Sequence, residues 1–175
     1  MSSILSREIQ IPSGVSIDFE GCVLRTSGNK GVNEVLLPSL VLVKKGDNTL
    51  LLSINESSNF CLLETSVALI KNAIADANDG VVVKIKMIGV GFKAKVQGKF
   101  LSVFVGYSHD IFFLIPESIT VSVQNDIEIT IAGCDRQKVM LFAKTIHDVR
   151  KPEPYKGKGI FIDDEKVVRK EGKKK

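Results

Sequence analysis

Apolar residues recur along this chain with two distinct periods. Period two is cleanest beyond residue 80: Val83, Ile85 and Met87 alternate with Lys84 and Lys86, Ile119, Val121 and Val123 with Thr120 and Ser122, and Ile127, Ile129 and Ile131 with Glu128 and Thr130. Side chains two apart share one face of a strand, so these segments predict antiparallel sheet with one dry face and one wet face. Gly98 and Asn125-Asp126 lie between strand patterns and supply turns. Period 3.6 takes over twice. Leu63, Val67, Ile70, Ile74 and Ala77 form one helical stripe, which Asp79-Gly80 stops. Val139, Phe142, Ala143, Ile146 and Val149 form another; Asp135 is placed to cap its start, and Pro152 forbids continuation past Lys151.

The two halves repeat one plan. Gly28 and Pro38 stand in the first half where Gly106 and Pro116 stand in the second, 78 positions on, and Gly21 precedes Gly98 by 77. After each proline come a strand, a polar turn (Gly46-Asp47-Asn48 or Asn125-Asp126), another strand and then a helix. This predicts an α+β fold of two tandem duplicated domains, each a small antiparallel sheet with one helix packed on a face. The expected boundaries are residues 1–80, residues 81–151 as the main polyanion-binding domain, and an extended basic tail over 152–175.

Composition narrows the class. The 175 residues are 44% apolar, too hydrophobic for intrinsic disorder. No apolar run approaches the roughly 18 to 20 residues of a membrane span. Met1 to Glu8 resembles neither a secretory signal nor a transit peptide, so the chain is expected to work in the compartment where it is made. Cys22, Cys61 and Cys134 are odd in number and lack C-x-x-C spacing, which predicts free, buried thiols.

Charge is distributed unevenly. The formal net charge is +4, yet residues 149–175 hold ten Lys and Arg against five Asp and Glu, while residues 1–148 hold 14 against 15. Such asymmetry points to a polyanion gripped by the C-terminal part.

Catalytic chemistry has little support. His109 and His147 are the only histidines, and neither has metal-ligand spacing to a cysteine or to the other. There is no phosphate-binding G-x-x-x-x-G-K-[ST] loop and no G-x-S-x-G elbow, and Ser27-Gly28-Asn29-Lys30 reads as a turn. The expectation is no enzyme, no cofactor, no metal and no small-molecule substrate. Gly89-Val90-Gly91-Phe92-Lys93 places two glycines in a strand-like region, which reads equally as a sheet corner or as close approach to a ligand. The richest segment is Arg150-Lys151-Pro152-Glu153-Pro154-Tyr155-Lys156-Gly157-Lys158-Gly159. Its prolines force an extended path off the helix, its lysines ride on a backbone of little bulk that can follow a phosphate ridge, and Tyr155 adds a ring able to stack on a base.

Pro152 to Ile160, followed by Val167-Val168-Arg169-Lys170-Glu171-Gly172-Lys173-Lys174-Lys175, resembles the C-terminal signature of the bacterial-type large-subunit ribosomal protein L-six family. Ile11-Pro12-Ser13-Gly14-Val15 is similar to that family's opening strand and turn, Asn29-Lys30-Gly31 to its first-domain hairpin, Gly89 to Phe92 and Gly106-Tyr107-Ser108-His109 to its second-domain turns, and Gly133 to Gln137 to its last helix start. The resemblance implies two duplicated α+β domains that bind large-subunit rRNA near the stalk base and the sarcin–ricin loop, where translational GTPases dock. It also implies neighbouring large-subunit proteins as partners, and a ribosome in a bacterial cytoplasm or in an organelle encoding its own copy. By matching position, the RNA-contacting residues would be Lys151, Tyr155, Lys156, Gly157, Lys158 and Gly159, with Gly89, Gly91, Lys93, Ser108 and His109 as secondary contacts and Arg169, Lys170 and Lys173 continuing the positive strip. The chain departs from the pattern in its acidic first half and in Asp163-Asp164-Glu165 just after the signature. The rival reading is a polybasic adaptor on an anionic membrane surface or an acidic protein, for which an adjacent apolar anchor or terminal lipidation motif is missing.

Overall fold

The computed structural model describes residues 5–46, 48–54, 60–163 and 165–171. The chain divides into two compact units, Met1–Gly80 with Cys134–Arg136, and Val81–Gly133 with Gln137–Lys175.

In the first unit, β1 (Leu5–Gln10), β6 (Thr49–Ile54) and β5 (Leu42–Lys45) form one antiparallel sheet in that order. A second sheet runs β2 (Ser16–Glu20), β3 (Val23–Gly28) and β4 (Gly31–Leu36). Helix α1 (Phe60–Asp79) packs on both. Its buried stripe contains the expected Leu63, Val67, Ile70, Ile74 and Ala77, set against Ile9, Ile17, Leu24, Leu50 and Leu52. Burial of each Leu, Ile and Val side chain among these contributes about 1.5–3 kcal/mol. Gly80 ends the helix at φ +75°, its N–H donating to the Asp76 carbonyl at 2.9 Å, a left-handed cap that glycine adopts without strain. One acid lies inside the stripe: Asp76 is 2% exposed and is held by the Arg136 guanidinium at 2.8 Å. Hydrogen bonding to Asp76, then its charge, pushes Arg136 still further above the ordinary arginine value.

The second unit repeats this wiring. Its larger sheet runs β11 (Ile119–Gln124), β12 (Glu128–Gly133), β7 (Val81–Ile88) and β13 (Gly159–Ile162), and its smaller one β10 (Ile111–Leu114), β9 (Phe100–Phe104) and β8 (Lys93–Gln97). Helix α2 (Arg136–Val149) buries Val139, Phe142, Ala143 and Ile146 against Val83, Ile85, Met87, Ile129 and Ile131. The repeat extends to single hydrogen bonds. Val41 N–H donates to the Pro38 carbonyl at 3.1 Å and Ile119 N–H to that of Pro116 at 3.0 Å; Leu37 N–H donates to Cys22 at 2.8 Å and Ile115 N–H to Lys99 at 2.9 Å. Gly21 and Gly98 take φ +64° and +61° in the matching hairpins. Asn125 and Asp126, at φ +53° and +58°, start the three-residue turn from β11 to β12, where Ile127 N–H donates to the Gln124 carbonyl at 3.3 Å.

Three expectations needed correction. Residues 152–175 do not all form a free tail, because Gly159–Ile162 zips onto β7 with Ile160 fully buried. Ile127 falls in the turn before β12 and is 36% exposed, so only Ile129 and Ile131 of that stripe enter the core. The cysteines are free, but Cys22 and Cys61 are exposed and Cys134 half-buried, since each lies outside the packed faces.

Candidate nucleic-acid interface

The basic segment leaves α2 and is immediately folded back on its own unit. Ile160 N–H donates to the Arg150 carbonyl at 2.9 Å, Glu153 N–H to Lys158 at 2.8 Å, and Gly157 N–H to Glu153 at 3.0 Å. The result is a tight loop whose base is closed by β13. Glycine is obligatory at that base: Gly159 has φ +149°, and a Cβ there would lie 2.5 Å from Pro152 Cα. Gly157 is also buried, at φ +66°, with the Arg169 guanidinium 3.2 Å from where its Cβ would be. Both glycines therefore shape the loop from inside, while Lys151, Tyr155, Lys156 and Lys158 are exposed along it. Tyr155 is 58% exposed, and among the described residues its ring stacks on no other ring or cation.

Asp163, part of the acidic cluster after the signature, has a local task. At φ +45° its N–H donates to the Lys84 carbonyl at 2.7 Å and its carboxylate accepts from Lys84 N–H at 2.8 Å, locking the end of β13. Glu165 approaches buried His147 Nε2 at 3.2 Å without forming a hydrogen bond to it. Asp163 thus holds the segment in place. Lys170 N–H then donates to the Pro154 carbonyl at 3.0 Å, bringing Arg169 and Lys170 beside the loop. Asp164 and Lys173 lie outside the described residues.

The secondary turns meet the same loop through Arg150. Its guanidinium donates to the Val105 carbonyl at 3.0 Å and lies over the rings of Phe92 at 5.7 Å and Tyr107 at 5.5 Å. Tyr107 in turn donates to the Val149 carbonyl at 2.9 Å. Phe92 is buried beneath Gly89, where an added Cβ would strike the ring at 2.7 Å; Gly91, at φ +79°, faces open space. The Gly89–Lys93 turn is therefore a sheet corner that leaves Gly91 and Lys93 on the surface. Ser108 and His109 are exposed beside it, their side chains 3.3 Å apart. Arg150 opens the basic segment read in the sequence, but its bracing role was not legible there, because its partners lie about 45 and 58 positions away and only the folded sheet brings them together.

Electrostatically, Lys144 and Lys151 are tied to Asp148 at 3.6 and 3.7 Å. Slight desolvation works to raise that carboxyl, but hydrogen bonding to His147 and the charges of Lys144 and Lys151 outweigh it and hold Asp148 below the usual aspartate value. Among the described residues, Lys93, Lys156, Lys158 and Lys170 enter no ion pair, so their charge is available to a partner. Sequence reasoning also missed the outer face of β8–β10, where the register sets Lys93 opposite Phe104, and Phe100 opposite Leu114, all four exposed.

A family model described as Ribosomal protein L6 matches residues 88–161, from the end of β7 to β13. Proteins named large ribosomal subunit protein uL6 from Hahella chejuensis, Bartonella bacilliformis and Nitrobacter winogradskyi are 40%, 39% and 40% identical over 177 aligned positions, covering 100% of this chain and 100% of each relative. With the repeat, the basic loop and likeness along the full length in agreement, the chain belongs to the ribosomal protein L6 family.

Proposed function

We propose that this chain binds large-subunit rRNA through its second unit, with Lys151, Tyr155, Lys156 and Lys158 on the sugar–phosphate chain and Gly91, Lys93, Ser108, His109, Arg169 and Lys170 flanking them. Membership of the family makes it a structural, non-enzymatic constituent of the large ribosomal subunit. The finer reading places it near the stalk base and the sarcin–ricin loop, beside neighbouring large-subunit proteins. One observation carries the RNA contact: Lys156 and Lys158, which enter no ion pair among the described residues, and an exposed tyrosine sit on a loop whose shape is enforced from within by Gly157 and Gly159. A rigid loop loses little conformational entropy on docking, and lysines spaced along it neutralise phosphates without reading sequence. Gly157 and Gly159 act by permitting that shape. The first unit, with six Lys and Arg against nine Asp and Glu over residues 1–80, contributes little affinity for a polyanion.

Replacing Lys156 and Lys158 together by alanine tests the assignment. The double variant should fold normally, because both side chains are exposed, yet sediment free of large subunits in sucrose gradients at moderate salt. Normal incorporation would remove the assigned role.

A further inference from the structure

The duplication allows one half of the chain to be read against the other. Ile11 N–H donates to the Asn48 carbonyl at 2.9 Å, as Met87 N–H does to that of Ile127 at 2.9 Å, which aligns β1 with β7 at an offset of 76. On β7 the outward edge is occupied. Strand β13 pairs with Ile85 to Ile88, Lys84 bonds Asp163 through both N–H and carbonyl, and Ile160 is fully buried. Among the described residues, the same edge of β1 has no strand. Ladder groups alternate in direction, so with Ile11 turned toward β6, Glu8 and Gln10 turn theirs outward. Among the described residues, neither makes a backbone hydrogen bond outside the β1–β6 ladder.

Beside that edge runs a groove between β1 and α1, lined by Glu8, Ile9, Gln10 and Pro12 on one side and by Ile74 and Ala75 on the other. Glu8, Ile9, Gln10 and Pro12 are the counterparts of Lys84, Ile85, Lys86 and Ile88, the β7 residues that β13 and Asp163 cover. Lys71, also in the groove, takes the place of His147, which faces Glu165 behind β13.

We propose that the β1 edge takes up an extended, basic segment of a neighbouring protein as a fourth strand, seating one apolar side chain in the groove as Ile160 is seated in the second unit. Strand addition draws affinity from main-chain bonds and specificity from alternate side chains, and this edge offers both. Charge selects the occupant. The β7 edge, with Lys84 and Lys86, receives a strand followed by Asp163 and Glu165; the β1 edge presents Glu8, with Asp79 and Lys71 on the groove wall, so two acids outweigh one lysine and the site suits the opposite sign. Pro12 stands where Ile88 stands and has no N–H, so the added ladder ends at Gln10 and is short. The site lies in the first unit and does not depend on the RNA reading.

The test is titration of the isotope-labelled full chain with a synthetic peptide, Lys-Gly-Ile-Phe-Ile-Lys-Lys, and with the same core flanked by aspartates. The amides of Glu8 and Gln10 should shift and exchange more slowly, and the basic peptide should bind roughly tenfold tighter than the acidic one. Gln10→Pro removes an outward N–H without touching the β6 ladder and should weaken binding by roughly tenfold or more. Glu8→Lys, a surface change that leaves the fold intact, should reverse the charge preference. The proposal is overturned if Glu8 and Gln10 do not respond at about 1 mM peptide, or if either variant binds like the parent. It is equally overturned if those amides are protected by self-association without peptide, or by an RNA oligonucleotide.

Discussion

Replacing Gly159 by alanine perturbs the basic loop at its hinge without touching a charge. At φ +149° the residue occupies a region that side chains rarely adopt, at a cost of about 1–3 kcal/mol. The added Cβ would also lie 2.5 Å from Pro152 Cα, 2.8 Å from Pro152 N and 2.9 Å from the Lys151 carbonyl oxygen. All three are backbone atoms, so no side chain can swing aside and β13 or the loop must move. If β13 peels back, Ile160 loses a burial worth about 1.5–3 kcal/mol. The combined loss of about 2.5–6 kcal/mol is a large share of a stability of about 5–15 kcal/mol. It should lower the second unit's melting transition by at least about 10 °C, taking about 4 °C per kcal/mol for a unit of this size. Calorimetry reads that shift, and hydrogen exchange at Ile160 and Asp163, whose N–H groups donate to Arg150 and Lys84, shows whether the strand has detached. Gly98→Ala is the control, because Gly98 has φ +61° but nothing within 4 Å of its would-be Cβ, so it should cost only about 1 kcal/mol. An unchanged melting point with Ile160 still protected would show that the glycine is not what closes the loop.

Arg136→Ala strands the buried carboxylate of Asp76 and should destabilise the first unit by about 3 kcal/mol, measured by denaturant unfolding. Asp76→Asn in the same background should recover part of the loss. Arg150→Ala removes the bond to Val105 and two cation–ring contacts, a loss of about 2–3 kcal/mol that should broaden the amide signals of both the Gly89–Lys93 and Tyr107–His109 turns. Asp148 titrates below the usual aspartate range, so its contribution is complete above the unfolded-state value and fades as pH falls through the folded one. Carboxyl NMR should place its midpoint below that of free aspartate, and Asp148→Asn should flatten the acid limb of the stability curve.

The parts of the fold legible in the sequence are those fixed by local pattern. The α1 stripe of Leu63, Val67, Ile70, Ile74 and Ala77 is buried as its spacing requires, and Val83, Ile85 and Met87 alternate as β7 predicts. The duplication was legible because turns need particular residues at fixed places, and Gly21, Gly98, Pro38 and Pro116 mark them. Strand β13 was not. Gly-Ile-Phe-Ile is too short to show a period, and charged residues on both sides disguise it as tail; only the vacant edge of β7 makes it a strand. The bracing role of Arg150 was hidden for the same reason, since nothing local distinguishes it from Lys151. The site's cations were readable as an excess of charge, whereas the scaffold that holds them, Gly159 against Pro152 and Asp163 against Lys84, exists only in three dimensions.

The most direct measurement is the salt dependence of binding to a large-subunit rRNA fragment, made on the parent chain and on the Lys156→Ala, Lys158→Ala double variant. If about 5 phosphates are neutralised, log K should fall against log salt with a slope of roughly −3.5 to −4.5, and the double variant should lose roughly 1.4 to 1.8 of that slope with its affinity. Equal slopes and equal affinities for the two proteins would contradict the account, because the loop would then not be touching the phosphates.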